Sequence, residues 1–357
     1  MRALVYHAPG QVSWDVVKDP GIEAATDALV RVDATAVSGC DLRVVRGDLP
    51  EVEPGTVLGH EAVGEVLEVG RAVRRPAVGD RVVVSSVSVC GHCAWCRSGW
   101  YGQCPVGGWL LGHRVDGTQA EIVRVPFAGH SLHRWPSSVT PEEAVLLSEV
   151  LPAAYELGVR AGGVGPGQTV VVVGAGPVGL AAAAVARVRS PLRVVAVDLS
   201  RPRLATAVRV GADAARLPGA AIAELAAGPG ADVVIETTGT AEGFVLGTRM
   251  ARRGGTVAVV APHGGSAVLH PQTLWERNLT VRTGRVDTRS VPWLADLMRL
   301  GRLRAAPLVT GTRPLAGLPK AYEAFAHGAE TGDLKLVALR RTGTAGRERP
   351  RIAHAAH

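Results

Sequence analysis

The chain has 357 residues, of which 47% are hydrophobic and 20% are charged, and its formal net charge is +7. This length exceeds what a single hydrophobic core usually supports, so we expect two domains. The composition agrees with a soluble globular protein. The arginines are scattered along the chain rather than gathered on one helix face, so we expect no nucleic-acid partner.

Three segments indicate where the protein is located in the cell and which part of the chain is disordered. The first ten residues, MRALVYHAPG, lack the apolar segment of a secretory signal, so we expect a cytoplasmic protein. The uncharged run at 161–186 contains many glycines and two prolines, which indicates strand, turn and helix within a core rather than a membrane span. Residues 340–357 include five arginines and one glutamate, and we expect 341–357 to form a disordered basic tail.

The N-terminal third is a succession of short β-runs separated by glycine, proline and aspartate turns. Apolar and polar residues alternate in ALVRVDATAV at 28–37, which is typical of a half-buried antiparallel strand. The pattern predicts a β-rich domain with strands at 3–7, 28–37, 62–69, 81–87 and 121–125.

Four of the five cysteines fall within one segment, 88–106, that is rich in glycine and tryptophan: Cys90, Cys93, Cys96 and Cys104. Zinc binds four thiolates tetrahedrally at about 2.3 Å, and C-x₂-C spacing lets a tight turn aim neighbouring sulfurs at one point. Two disulfides, or four thiols without a role, are the alternatives, but disulfides belong to oxidising compartments. The spacing therefore favours a closed Cys₄ shell holding a structural zinc.

The middle of the chain changes to repeated βα units. A helical stretch begins at Pro141, and from Thr169 an apolar strand, a turn and a helix recur, which predicts a parallel sheet covered on both faces. After about Gly284, helices at 293–299 and 315–327 and a strand at 334–339 return to the earlier style. We therefore predict an α/β protein in which a doubly wound Rossmann domain (156–286) is inserted into the β-rich domain (1–155 and 287–340).

A glycine motif, G-x-G-x-x-G, follows the first strand of this repeat and opens its first helix. The first glycine permits a tight turn, the second lets a pyrophosphate approach the backbone, and the third lets the helix pack on the strand. A glycine turn with a capping aspartate is the alternative, which the sequence context of the motif makes less favourable. The predicted cofactor loop comprises Gly174, Gly176, Pro177, Val178 and Gly179.

Cofactor preference is indicated by Asp198, which ends the next strand 19 residues after Gly179. A carboxylate at this position accepts hydrogen bonds from the adenosine ribose and repels a 2′-phosphate. We therefore expect NAD(H) to be preferred over NADP(H). Arg201 and Arg203 lie just downstream and would bind a 2′-phosphate if Asp198 turned away.

Several further motifs occur in a characteristic order over residues 1–339: GHEAVG at 59–64, VGDRVVV at 78–84, the cysteine segment, DGTQAEIVRVP at 116–126, GAGPVGL at 174–180 and ETTG at 236–239. In these motifs the chain resembles the zinc-containing alcohol dehydrogenases of the medium-chain dehydrogenase/reductase superfamily. The resemblance implies a GroES-like catalytic domain around the Rossmann domain, a small-molecule substrate and a homodimer or homotetramer. It also implies a second zinc, which polarises an alcohol or carbonyl oxygen during hydride transfer.

The same resemblance implies which residues form the catalytic site. His60 would be a ligand of the catalytic zinc, Glu61 would lie at or beside the metal, and Glu149 would occupy the acidic third position. A hydrogen-bonded core histidine is the alternative for His60. It is less favourable because apolar surroundings would exclude the charged Glu61 and Glu149.

The remaining ligand departs from the family pattern. Cys-Gly-Ser/Thr-Asp-x-His aligns on residues 38–43, so Ser38 stands at the ligand position, Cys40 at the relay hydroxyl and Arg43 at the relay histidine. If the chain is extended here, two residues displace a side chain by about 6.6 Å, so either the metal or the backbone must move for Cys40 to bind. Arg43 would pair with the cofactor pyrophosphate or be a solvated turn residue.

Three functional hypotheses follow from this departure. In the first, His60, Glu149 and a shifted Cys40 hold zinc, and the protein is an alcohol dehydrogenase with an altered proton path. In the second, the cleft lacks zinc and the enzyme reduces an activated C=C or C=N bond. In the third, the protein binds a nucleotide or a partner without catalysing a reaction.

Overall fold

Two large β-sheets organise the protein, and the computed structural model describes residues 1–340 of it. The strands are, in chain order, β1 (Arg2–Ala8), β2 (Gln11–Val16), β3 (Ala28–Ala36), β4 (Ala62–Val69), β5 (Arg81–Val84), β6 (Ile122–Val125), β7 (Leu132–Arg134), β8 (Thr169–Val173), β9 (Arg193–Val197), β10 (Ala214–Arg216), β11 (Ala231–Glu236), β12 (Ala251–Val259), β13 (Thr280–Arg282), β14 (Val309–Pro314) and β15 (Lys335–Leu339). The tail predicted at 341–357 lies outside the described residues.

The helices surround these sheets, and several are a single turn long. In chain order they are α1 (Gly39–Arg46), α2 (Ala94–Arg97), α3 (Ala128–Ser131), α4 (Pro141–Ala144), α5 (Val150–Ala153), α6 (Pro177–Ala186), α7 (Arg201–Arg209), α8 (Pro218–Ala226), α9 (Ala241–Met250), α10 (Pro271–Glu276), α11 (Val291–Arg299), α12 (Leu318–Ala326) and α13 (Gly328–Thr331). Helix α5 continues into a π-helical segment, Ala154–Arg160. Within residues 1–340, every helix falls short of the length and apolar character needed to cross a bilayer.

The six-stranded sheet is parallel throughout and has the order β10-β9-β8-β11-β12-β13. Numbered along the chain, this is 3-2-1-4-5-6, the order of a dinucleotide-binding fold. Its central strands are runs of buried valines because helices cover both faces of the sheet. The predicted Rossmann fold is confirmed.

The second sheet has the order β14-β15-β3-β4-β5-β7, and β6 pairs with β3 beside this path. Strand β3 pairs antiparallel with β4, β6 and β15. The chain therefore returns to this sheet after completing the parallel one. The domain boundaries given above, 1–155 with 287–340 and 156–286, remain a prediction.

The segment that carries Cys40 is helical, so the expectation of an extended chain there is wrong. Ser38 is the N-cap of α1: its hydroxyl accepts a hydrogen bond from the Asp41 N–H at 3.1 Å, and the Asp41 carboxylate accepts one from the Ser38 N–H at 3.1 Å. This capping box starts the helix immediately after Ser38. Strand β5 also ends at Val84, earlier than predicted, because the Ser86 N–H bonds to the carbonyl of Ser148 instead of continuing the ladder.

One hydrophobic core joins the two sheets. It contains Val63 and Val83 from the mixed sheet, Leu151 from α5, and Val170 and Leu180 from the parallel sheet and its first helix. Helix α5 packs against α6, the helix that follows the glycine motif. Because Glu149 immediately precedes α5, this packing connects the element that positions Glu149 with the helix of the cofactor loop.

Candidate active site and zinc centres

Cys40, His60 and Glu149 come together although they are far apart in sequence. The Cys40 sulfur, an imidazole nitrogen of His60 and a carboxylate oxygen of Glu149 all lie within 4.8 Å of one another. Two zinc ligands at 2.0–2.1 Å in a tetrahedron stand about 3.3 Å apart. His60 Nε2 lies 2.9 Å from Glu149 Oε2, so a small opening of this pair would accommodate the ion. The thiol, imidazole and carboxylate therefore fit zinc, with a fourth position left for substrate or water.

The helical backbone explains how Cys40 reaches this group. Two residues of α-helix advance the chain by only about 3 Å along the axis, not the 6.6 Å of an extended strand. Ser38 is buried, and its hydroxyl is engaged as the helix cap. Arg43 is half-buried towards the end of the same helix, and within residues 1–340 its guanidinium makes no ion pair. Its contact with the cofactor pyrophosphate remains a prediction.

Asp41 orients the imidazole of His60. His60 Nδ1 lies 2.9 Å from Asp41 Oδ1, and both side chains are only 1% exposed. The other carboxylate oxygen of Asp41 accepts hydrogen bonds from the Ser38 N–H and from Gln119 Nε2. Metal-binding histidines characteristically donate their second ring nitrogen to a carboxylate in this way. This contact commits Nδ1 and leaves Nε2 facing Glu149.

The charges of the group are strongly coupled. Burial alone would lower the pKa of His60, but the Asp41 and Glu149 carboxylates raise that pKa well above its ordinary value. Burial alone would raise the pKa of Glu149, but the neighbouring His60 lowers it to about 2. Burial, reinforced by Glu149, raises the pKa of the Cys40 thiol to about 12. Because zinc binds the thiolate, metal binding at this site must displace a proton from Cys40.

Glu61 lies beside this group rather than within it. It is fully buried, and its Oε1 accepts a hydrogen bond from the ammonium of Lys335, which also donates to the Val37 carbonyl at 3.1 Å. Burial raises the pKa of Glu61 to about 7, although Lys335 opposes the shift. In the part of the chain that the structure describes, Glu61 Oε2 has no hydrogen-bond partner.

Trp109 forms one wall of the site. Its ring packs edge-on against the imidazole of His60, with 5.4 Å between centroids, and stacks on the ring of His113 at 4.7 Å. Its indole Nε1 is buried and finds no acceptor among residues 1–340. A buried indole N–H usually has a partner, so this unpaired donor is an exception among the polar groups around the site.

The four cysteines of the 88–106 segment converge as their spacing predicts. All four sulfurs lie within 4.8 Å of one another, and Cys90 Sγ is 3.9 Å from Cys96 Sγ and 3.6 Å from Cys104 Sγ. Thiolates bound tetrahedrally to zinc stand about 3.8 Å apart, whereas disulfide sulfurs stand about 2.05 Å apart. Although burial opposes it, the backbone N–H groups of His92 and Cys93 lower the pKa of Cys90 to about 6, which favours the thiolate. The geometry fits zinc and not a pair of disulfides.

The glycine motif has the geometry that a dinucleotide loop requires. Gly174 has φ of +94°, and a Cβ added there would lie 2.7 Å from Thr237 Oγ1. A Cβ at Gly179 would lie 1.8 Å from the Gly174 carbonyl oxygen, so the helix packs directly on the turn. Gly176, by contrast, faces open space, with Arg203 Nη1 at 4.0 Å. Helix α6 then begins at Pro177 and Val178 with no side-chain cap, so its N-terminal N–H groups are free to bind phosphate.

Asp198 and Arg203 lie beside this loop. The Asp198 carboxylate accepts hydrogen bonds from the Ala175 N–H at 2.5 Å and the Ser200 N–H at 2.7 Å. It lines a cavity of about 690 Å³ together with Gly174 and other residues that follow the parallel strands. Arg203 is half-buried, and its Nε is unpaired within the described residues.

Comparison with known proteins agrees with this arrangement. Residues 24–137 match the family model described as alcohol dehydrogenase GroES-like domain, and residues 177–299 match the model described as zinc-binding dehydrogenase. A zinc-type alcohol dehydrogenase B from Aspergillus flavus is 33% identical over 340 residues, which cover 91% of this chain and 78% of that protein. This chain belongs to the zinc-containing alcohol dehydrogenases of the medium-chain dehydrogenase/reductase superfamily.

Solved structures extend the comparison. The apo form of a zinc-dependent alcohol dehydrogenase 2 from Streptococcus pneumonia is 38% identical, with a TM-score of 0.90 over 97% of this chain and 100% of that one. A protein from Sinorhizobium meliloti 1021 described as a zinc-binding dehydrogenase, bound to NADP, is 28% identical, with a TM-score of 0.84 over 95% of this chain and 98% of that one. The predicted GroES-like and Rossmann architecture and the predicted NAD(P)-dependent oxidoreductase are confirmed at this level.

In this alcohol dehydrogenase, sequence reasoning identified the three groups that converge but missed their supports. Asp41 had no predicted role within the aligned motif, although its spacing from Ser38, S-x-x-D, is a local signal for a capping box. Lys335 could not be found from sequence, because its contact with Glu61 spans 274 positions. The roles of the site residues themselves remain predictions.

Proposed function

We propose that this enzyme interconverts an alcohol and a carbonyl compound by hydride transfer with NAD(H), and that its catalytic zinc is held by Cys40, His60 and Glu149. The convergence of these three donor atoms within 4.8 Å carries the proposal. The donor Cys40 replaces the residue at position 38 because the capping box places Cys40 in the first turn of α1. The second zinc of the proposal occupies the Cys₄ segment and serves structure.

The metal and the residues around it have distinct roles in the proposed reaction. Zinc, when bound, supplies a Lewis acid for the substrate oxygen. Asp41 fixes the tautomer and ring orientation of His60, so that Nε2 faces the metal position. Lys335 compensates the buried charge of Glu61. Arg43 cannot accept a proton, so the alcohol proton leaves by a path that does not use position 43.

The preference for NAD(H) is part of the proposal and rests on Asp198. Its carboxylate lines the adenosine cavity, where it would face the 2′-hydroxyl of NAD(H) and repel the 2′-phosphate of NADP(H). Arg203 is the competing feature, since its guanidinium reaches the open side of Gly176. The two backbone hydrogen bonds to Asp198 favour NAD(H), because they hold the carboxylate in the cavity wall rather than letting it turn away.

We also propose a homodimer or homotetramer in the cytoplasm. Strand β13 lies at the edge of the parallel sheet, and an open edge can pair with a second copy. Large apolar side chains are exposed in the segment that precedes it: Val268 is 66% and Trp275 is 80% exposed. Thiolate metal sites are stable in a reducing compartment, which supports the cytoplasm.

Steady-state assays with NAD⁺ and NADH against alcohols, ketones, enals and imines test the proposed reaction. Wild-type enzyme should oxidise at least one alcohol class, and Cys40→Ala should abolish that oxidation while NADH binding persists. Ser137→Ala, which changes an exposed residue outside the cofactor and zinc sites, is the control and should keep full activity. Reduction of enals or imines that survives in Cys40→Ala would instead support a reductase without catalytic zinc. NADH binding without turnover of any substrate would support the third hypothesis, a nucleotide-binding protein that catalyses no reaction.

A further inference from the structure

A second large cleft lies outside the cofactor and zinc sites. It has a volume of about 1170 Å³ and is bounded by the loop before β5, by strand β7 and by helix α11. Five arginines and one histidine line it, and we call it the arginine cleft: Arg74, Arg75, Arg81, His133, Arg134 and Arg299. None of these residues has a role in the proposed reaction, although Arg81 also belongs to the VGDRVVV motif at 78–84.

The charge of the arginine cleft is largely uncompensated. Two aspartates also line it, so the five arginines leave a net charge of +3: Asp296 pairs with Arg299 at 3.1 Å, and Asp80, which accepts the Ala77 N–H at 2.8 Å, keeps its charge. Over residues 1–340, no carboxylate lies within ion-pair distance of the other four guanidinium groups, those of Arg74, Arg75, Arg81 and Arg134. Four like charges around one concavity repel one another, and an anion between them would relieve that repulsion.

Two further features make the cleft more than a basic surface. The Arg81 guanidinium lies 3.5 Å from the centre of the buried Trp135 ring, which fixes one cation in place. His133 Nε2 is buried and has no hydrogen-bond partner among the described residues. Burial, with His130 nearby, lowers the pKa of His133 to about 4, so this imidazole is neutral near pH 7 and can donate an N–H without adding charge.

We propose that the arginine cleft binds an oligophosphate, a small anion with two or more linked phosphate groups. Guanidinium forks match phosphate oxygens bidentately, and four unpaired cations match the three to five charges of linked phosphates better than the single charge of a carboxylate. A cavity of this size also exceeds the needs of one phosphate. The proposal is independent of the zinc site.

The chemistry of the cleft disfavours a nucleic-acid strand. Proteins that bind single strands offer open aromatic faces on which bases stack. In this cleft the face of Trp135 is already covered by Arg81, and the ring itself is buried. The cleft therefore offers phosphate contacts without a stacking platform.

Calorimetric titration of the zinc-loaded enzyme with inorganic tripolyphosphate, at low salt and with NADH saturating the cofactor site, tests the proposal. Wild type should bind one equivalent, and Arg74→Gln/Arg134→Gln should bind about tenfold or more weakly, because charge-assisted hydrogen bonds are lost. Arg74 and Arg134 are both exposed, so the double variant should fold as wild type does. Arg81→Gln is a second variant that should also bind tripolyphosphate more weakly. Arg209→Gln, which removes an exposed arginine from α7, is the matched control and should bind as wild type does.

Three results would overturn the proposal. Equal heats in wild type, the double variant and Arg209→Gln would show diffuse attraction or removal of zinc by the anion, and zinc content after titration identifies the latter. Sulfate binding as tightly as tripolyphosphate would reduce the cleft to a site for single anions. A short single-stranded RNA that binds more tightly than tripolyphosphate, and is weakened by the same double substitution, would make the cleft a nucleic-acid surface.

Discussion

Lys335 places its ammonium group against the carboxylate of Glu61, although 274 positions separate the two residues. Lys335 is 2% exposed and Glu61 is fully buried, so the pair connects the last described strand to the segment that carries His60. A buried pair of this kind contributes little net stability while intact, but removing one partner leaves an uncompensated charge.

Lys335→Met should therefore lower the free energy of unfolding by about 3–5 kcal/mol, because Glu61 remains buried without its cation. Urea denaturation of the zinc-loaded protein measures this loss. Lys320→Met removes an exposed lysine and should change stability little. The Glu61→Gln/Lys335→Met double variant should recover part of the loss, and a double variant less stable than Lys335→Met would contradict the compensation.

Asp41→Asn should weaken zinc at the catalytic site about 10- to 100-fold, because the carboxylate that orients His60 loses its charge. Competition with a chromogenic chelator measures the affinity. Asp48→Asn changes an exposed carboxylate just beyond the same helix and serves as the control. Equal zinc affinity in wild type and Asp41→Asn would show that this contact does not support the metal.

Asp198→Asn should raise the ratio of kcat/KM for NADP⁺ to that for NAD⁺ by about tenfold or more, because like-charge repulsion of a 2′-phosphate costs several kcal/mol. Initial rates with each cofactor at a fixed alcohol concentration measure the ratio. Arg203→Gln, tested in parallel, should lower the ratio if its guanidinium contacts the 2′-phosphate. A wild-type enzyme that already prefers NADP⁺ would refute the assignment to Asp198.

His133 predicts a specific pH dependence of stability. Its pKa in the folded protein is about 4, below the ordinary 6.5, so between these values the unfolded chain binds a proton that the folded protein does not. Stability should therefore fall as pH drops from about 6.5 to 4, by at most about 3 kcal/mol from this residue. His133→Gln should flatten that part of the urea stability profile relative to His327→Gln, an exposed control. Parallel profiles for the two variants would contradict the shift.

The fold was predictable because its signals are local. The valine runs at β8 and β9, the glycine motif between β8 and α6, and the alternation in β3 each follow from a few neighbouring residues. Strand β7 has only three residues and is defined by its pairing with β5. Its short sequence has no local pattern from which a strand could be predicted. Helix α1 also has a local signal, the capping box formed by Ser38 and Asp41. This signal was missed because residues 38–43 were aligned with the family motif and treated as an extended segment.

The identity of the site residues was predictable from sequence, but their positions and contacts were not. His60 and Glu149 were assigned through the resemblance to zinc-containing alcohol dehydrogenases, whereas the four cysteines were found because their spacing matches zinc. The position of Cys40 required the helix geometry of α1, and the burial of Lys335 against Glu61 required the tertiary fold. A contact between two distant segments cannot be predicted from the residue spacing within either segment.

Zinc content per chain, measured by elemental analysis in wild type and Cys40→Ala, tests the central claim most directly. The claim predicts two zinc ions per wild-type chain and one in Cys40→Ala, with the remaining ion lost only when Cys93→Ser is added. Two ions retained in Cys40→Ala, or a single ion in the wild type, would contradict a catalytic zinc held by Cys40, His60 and Glu149.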